Sequence, residues 1–198
     1  MALTKITEIR KQEILNAFYQ TACEEGLEST SLAKIAKVLD VQPSLIVHYF
    51  KSKEDLLLAL IDFCLDKYFL IFENEFSKPG LPDKKIHDLI NRLFSKEWNH
   101  LFDDGLFYSC YALTFRSEII REKFRILHER LRKRFSELIK DFLADKPDNQ
   151  GNPELLSHQI FTLIDGAYYY INMQDSKEEQ ESHLQLARSL AYRVLGLE

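Results

Sequence analysis

A chain of 198 residues with 45% hydrophobic content can hold one small domain and one larger helical body with its own core. Its formal charge of -5 excludes a general nucleic-acid coat, which would need positive surface throughout, and restricts any phosphate contact to a local patch. The opening MALTKITEIRKQ turns charged before an apolar run builds up, and the later apolar stretches are too short to cross a bilayer, so a cytoplasmic protein without leader or membrane anchor is expected.

The residue pattern predicts helix throughout, punctuated by glycine and proline, with no period-2 stretch long enough for a strand. A first helix is expected over about residues 7–25, ending before Gly26, with Ile9, Ile14, Leu15, Phe18 and Ala22 as its apolar stripe. Residues 31–57, SLAKIAKVLDVQPSLIVHYFKSKEDLL, then read as two short helices joined by a tight turn and followed at once by a longer one. Leu32, Ile35, Ala36 and Leu39 fall on one helical face, and Ser31 is placed to cap it. Asp40 stands where a short polar residue can take the left-handed backbone that ends a helix, and Val41 plugs the angle between the helices. Pro43 suits the first turn of the second helix, which Ile46 and Phe50 hold by its inner edge. Its opposite face, with Ser44, Leu45, Val47 and His48, is left to enter a major groove, the arrangement of a helix-turn-helix DNA reader.

Further along, a connecting helix is expected from Lys53 to about residue 76, ended by the SKPGLP turn at 77–82. Helices over about 83–101, 106–115 and 118–143 follow, then the KPDNQGNP loop at 146–153 and two final helices over about 154–173 and 177–195. The adjacent Asp103 and Asp104 read as helix-end residues. Residues 116–140 hold nine bases against four acids, a strip read as the solvated face of an amphipathic helix. Cys23, Cys64 and Cys110 are far apart, without paired metal spacing, and fit reduced thiols used in packing.

The segment 31–57 resembles the DNA-binding signature of the TetR family of bacterial repressors, carried by Ile35-Ala36, Val41, His48-Tyr49-Phe50, Lys53-Glu54 and Leu56-Leu57 without insertion. The resemblance implies an all-α fold: a helix-turn-helix domain over residues 1–52 and a helical effector-binding and dimerisation domain over 53–198. It implies a ligand-responsive regulator, a homodimeric repressor released from a palindromic operator by a small molecule, and neither an enzyme nor a cofactor protein. Ser31, Lys34, Gln42, Ser44, Leu45, Val47, His48, Tyr49 and Lys53 are the expected DNA contacts, with Lys53, Tyr49 and His48 on phosphates and Gln42, Ser44, Leu45 and Val47 on bases. Asp40 replaces the family's usual glycine, Gln42, Ser44 and Val47 replace its usual Ser, Gly and Tyr, and Ala33 stands where a base is common, so the operator sequence is not inherited. Residues 1–56 carry seven bases against eight acids, which places the positive footprint in distribution rather than in net charge.

The last two predicted helices carry apolar stripes, Leu156, Ile160, Leu163, Ile164, Ala167 and Ile171 on one, and Leu184, Leu186, Ala187, Leu190, Ala191, Val194 and Leu195 over more than one face of the other. The resemblance implies that these pair with a second copy. Trp98, His100, Tyr108, Tyr111, Thr114, Arg116, His158, Asp165, Tyr168, Tyr169 and Asn172 mix aromatic walls with sparse polar groups, the composition of an effector chamber and also of an ordinary core. Asp165, expected to be buried on an apolar helix, would need a partner such as Arg116, a tyrosine hydroxyl or a ligand cation. Two alternatives stay open. One is a dimeric ligand or protein binder of the same fold that has lost DNA binding; the other is an all-α enzyme, although the glycines form no phosphate loop and the histidines no metal-binding pair.

Overall fold

The computed structural model describes residues 2–76, 79–95, 103–144, 146 and 151–197. Among these, α1 covers Ala2–Glu25, α2 Leu32–Val38, α3 Pro43–Tyr49, α4 Lys53–Phe76, α5 Pro82–Leu93, α6 Asp104–Ala112, α7 Glu118–Ala144, α8 Pro153–Ile171 and α9 Lys177–Leu195. A 3-10 turn, Leu113–Phe115, follows α6, and no described residue is in a strand. The chain divides into two compact units: Met1–Tyr68 with Phe102–Arg125, and Phe69–Leu101 with Ile126–Glu198.

In the first unit α1, α2 and α3 pack on one another, and α1 also meets α6. Ile14, Phe18 and Ala22 form the buried edge of α1, whereas Ile9, expected in the same stripe, is 50% exposed. Five residues of α-helix turn Ile9 about 140° away from Ile14, so it leaves the packed face. Tyr68 stacks on Phe107, and Phe107 meets Phe124 edge-on, closing the α4, α6 and α7 part of this unit. Asp103 caps α6, its carboxylate accepting from the Leu106 N–H at 2.6 Å, and its own N–H donates to the Tyr19 hydroxyl at 3.3 Å.

The second unit is built on the inward stripes of α5, α7, α8 and α9. Ile86, Leu89, Ile90 and Leu93 follow the i, i+3, i+4, i+7 spacing on α5; Ile160, Ile164 and Ile171 do the same service on α8, and Leu184, Ala187, Ala191 and Leu195 on α9. The helix expected over 83–101 ends at Leu93 instead. Phe94 leaves helical backbone at φ -110°, ψ 42°, and the buried Tyr168 hydroxyl lies 2.9 Å from the Leu93 carbonyl and 3.0 Å from that of Ser95. A carbonyl at the end of α5 is thus capped by a tyrosine more than seventy residues away.

Several cations of the basic strip are engaged within the protein. Lys123 donates to both carboxylate oxygens of Asp62, Arg125 pairs with Glu122, Arg134 reaches Glu73 and Glu137, and Arg130 lies over the Phe69 ring.

Candidate nucleic-acid interface

α2 is seven residues long, too short to persist alone, and its two ends are tied by specific bonds. The Ser31 hydroxyl accepts from the Lys34 N–H at 3.3 Å. At the other end Asp40 adopts φ 52°, its N–H bonds to the Lys37 carbonyl at 3.3 Å, and the Val41 N–H reaches the Ala36 carbonyl at 2.9 Å. That pair of bonds around a left-handed residue is the Schellman closure usually built on glycine. It reverses the chain within four residues and sets the direction in which α3 leaves.

α3 starts from Gln42, whose side chain makes no cap bond, and Pro43 occupies its first turn. Ile46 is 0% exposed and Phe50 is buried, while Gln42, Ser44 and His48 are exposed, Leu45 is 36% exposed and Val47 46%. One face of a seven-residue helix is thus anchored on α1 and α2 and the other left bare. Tyr49 is half-buried, its ring edge-on to His48 at 5.2 Å. Lys53 opens α4 in exposed position, behind the Ser52 hydroxyl that accepts the Asp55 N–H at 3.0 Å.

Lys34, an expected DNA contact, carries its ammonium to the Glu25 carboxylate at the end of α1. The pair joins residues nine apart across the α1–α2 turn, a proximity that sequence spacing alone does not reveal. Arg10 is likewise paired with Glu13. Lys37 and Lys51, outside the expected contact set, are exposed, and like Lys53 they form no ion pair among the described residues. Cationic positions flanking the reader helix were the signal for them.

The residues expected around an effector fall into both units. Trp98 and His100 lie outside the described residues. In the first unit Tyr108 is half-buried against Phe107, Tyr111 lies edge-on to Phe115 and Phe124, Thr114 is buried and Arg116 exposed. In the second unit His158 borders a cleft of about 400 Å³ between α7 and α8, with Arg132, Lys133, Lys140, Glu154 and Ser157 among its walls. The His158 Nδ1 is 3.2 Å from an Arg132 guanidinium nitrogen, and the Ser157 hydroxyl donates to the Arg132 carbonyl at 2.9 Å. Asp165 is open to solvent, not buried, and the charge acting on it is Arg132. Crowding by protein atoms pushes its carboxyl up to about 6 against the lowering pull of that guanidinium. Partial dehydration, and then the Arg132 charge, lower the His128 imidazole. Tyr168 is buried and engaged with backbone, Tyr169 is exposed, and Asn172 ends α8. Among the effector candidates of the second unit, His158 alone borders this cleft.

Residues 14–60 match the family model described as bacterial regulatory proteins, tetR family, and residues 82–197 match the tetracyclin repressor-like C-terminal domain. The chain is 26% identical over 160 residues to the HTH-type transcriptional regulator BetI of Rhizobium meliloti (strain 1021), covering 81% of this chain and 76% of that relative. A TetR transcription regulator from Haloarcula marismortui superposes with a TM-score of 0.79 at 20% identity, over 96% of this chain and 97% of that one. A transcriptional regulator from Saccharomonospora viridis, solved in complex with choline, gives a TM-score of 0.72 at 16% identity, over 90% and 94% of the two chains.

Proposed function

Since the chain belongs to the TetR family of DNA-binding transcriptional regulators, we propose that it acts as a homodimeric repressor, released from a palindromic operator when a small molecule binds its helical body. The observation that carries this reading is the two-faced α3, pinned by Ile46 and Phe50 and bare along Gln42, Ser44, Leu45, Val47 and His48. Leu45 and Val47 suit contact with thymine methyl groups, and Gln42 and Ser44 suit base-edge hydrogen bonds. Lys53 and Tyr49 hold phosphates beside them, and Lys37 and Lys51 add charge along the same tract.

The dimer uses α8 and α9. Leu155, Tyr169 and Tyr170 on α8, Met173 just past its end, and Leu186 and Leu190 on α9, are exposed although both helices also carry buried stripes. Gly166 meets no atom within 4 Å of a built Cβ, which leaves room on α8 for close approach of a partner helix. A twofold axis there brings two copies of α3 to half-sites about one helical turn apart. The effector binds the state whose reader helices are wrongly spaced, α4 carries the movement, and a coupling of about 1–3 kcal/mol suffices for release. The choline-bound neighbour supports an organic cation as one effector class to test.

The seven bases against eight acids in residues 1–56 favour the other reading, a binder of the same fold that no longer holds DNA. Titration of the chain onto the DNA flanking its own gene, across salt concentrations, separates the two. Lys53→Ala and Tyr49→Ala weaken binding if the repressor reading holds, and sequence-independent weak binding by every variant contradicts it. A thermal-shift panel that includes choline then tests the effector, and a flat response counts against an effector among the compounds tried.

A further inference from the structure

The cleft of about 400 Å³ between α7 and α8 lies wholly in the second unit, and its described walls hold no aliphatic side chain and no phenyl, phenol or indole ring. They are charged residues, two serines and His158. A ligand of low polarity would find no surface to rest on there, which separates this cleft from the aromatic chamber that a hydrophobic effector needs.

Its charges are unequal once internal partners are counted. Of the three acids in the walls, Glu137 is taken by Arg134 at 3.3 Å and Glu129 is engaged as well, which leaves Glu154. Arg132, Lys133 and Lys140 form no ion pair among the described residues, and Asp165, which feels the Arg132 charge, is not among the walls. Three cations therefore line the cleft against one uncommitted carboxylate. The arrangement is also held in place. Ser157 is 1% exposed and its hydroxyl donates to the Arg132 carbonyl at 2.9 Å, fixing α8 against α7 where the guanidinium leaves its helix. An Arg132 guanidinium nitrogen lies 3.2 Å from the His158 Nδ1. A guanidinium cannot accept, so Nδ1 is the acceptor and the imidazole proton sits on Nε2, a further donor beside the cation. Lys133 and Lys140, seven residues apart on α7, leave the same side of that helix about 10 Å apart along its axis.

We propose that this cleft binds a small polyanion, a molecule with two or more phosphate or carboxylate groups, held at one end by Arg132 and Lys133 and at the other by Lys140. The guanidinium fork suits two parallel bonds to either kind of group, and the lysines act as point charges. Ser136, on α7 between the two lysines, adds a hydroxyl. A single anionic group is too short to span from Lys133 to Lys140, whereas two or three in line are not. Glu154 offsets one of the three cations, so a monoanion leaves charge unmatched and a dianion balances it. The volume falls in the lower part of the range for small-molecule pockets, too small and too concave for a folded partner. The site stands whether or not the chain binds DNA, and it does not rest on the repressor reading.

The test is isothermal titration calorimetry on the full chain in about 0.15 M salt, which screens loose surface attraction. The probes are inorganic tripolyphosphate and citrate, with inorganic phosphate as the single-group comparison. At least one probe is expected to bind once per chain with Kd below about 1 mM and about tenfold or more tighter than inorganic phosphate. Binding of tripolyphosphate alone assigns phosphate chemistry to the site, and binding of citrate alone assigns carboxylates. Arg132→Gln and Lys140→Gln should each weaken the bound probe by about fivefold or more, and Glu154→Gln should tighten it. Lys84→Gln, which removes an exposed cation of α5 in the same unit, should leave it unchanged. No saturable binding of either probe, affinity no better than that of inorganic phosphate, or an equal loss in Lys84→Gln overturns the proposal. Should Arg132→Gln fail to fold, Glu154→Gln still decides, because that side chain is exposed and a gain in affinity cannot come from unfolding.

Discussion

Glu25→Gln should strengthen DNA binding, because it releases Lys34 from the ion pair that holds its ammonium away from phosphate. Both side chains of that pair are close to half exposed, so in water it contributes only about 0.2–1 kcal/mol, the range for surface pairs. Stability should change by no more than that. On DNA, wild-type Lys34 must give up the pair before it can neutralise a phosphate. Removing the competing carboxylate therefore returns up to about 1 kcal/mol, or about a fivefold gain in affinity. If wild-type Lys34 stays on Glu25 in the complex, the variant also steepens the salt dependence by about 0.9 in log–log slope, one more phosphate neutralised. The assay is anisotropy on one operator at several salt concentrations, for wild type, Glu25→Gln, Lys34→Ala and the double variant. The gain should vanish in the Lys34→Ala background, a coupling that a double-mutant cycle isolates. An equal gain in both backgrounds would refute the pairing argument, since Glu25 would then act by plain repulsion of DNA.

Asp40→Val places a branched side chain at φ 52° and should lower stability by about 2 kcal/mol in urea unfolding, while Asp40→Gly should match or exceed wild type. Tyr168→Phe strips the hydroxyl from the Leu93 and Ser95 carbonyls and should cost about 1–3 kcal/mol, read by the same method; a loss under 0.5 kcal/mol would mean water replaces it fully. Asp165 titrates near 6 when folded, above its unfolded value near 4, so the folded state binds the extra proton between those limits and stability falls as pH rises from about 4 to 6. Asp165→Asn should therefore raise Tm at pH 7.5 and leave it unchanged below about pH 4; an equal effect at both pH values would contradict the shift.

Local signals carried most of the architecture. The bounds of α4 and α9 follow from capping residues, glycine and proline that act within a turn of where they stand, and Asp40 was legible as the left-handed end of α2 because short polar residues tolerate that backbone. What could not be read depended on partners distant in sequence. α5 ends at Leu93, where the carbonyl meets the hydroxyl of Tyr168, a residue whose aromatic and polar character suggested an effector wall and which is buried on backbone carbonyls. Asp165 looked like a carboxylate trapped on an apolar helix, but it sits at the flank of the α8 stripe that packs, beside Phe161 and Tyr168, and reaches solvent. Lys34 looked like a free DNA contact until the α1–α2 turn brought Glu25 to it.

The most direct measurement of the central claim, that α3 reads DNA from a twofold dimer, is selection of bound duplexes from a random pool by the full chain. A symmetric consensus is predicted, with half-sites centred about one helical turn apart and weakened enrichment for a Val47→Ala variant at the bases α3 reads. A pool that stays random through successive rounds, or a consensus that survives unchanged when Ser44, Leu45 and Val47 are all replaced by alanine, would contradict it.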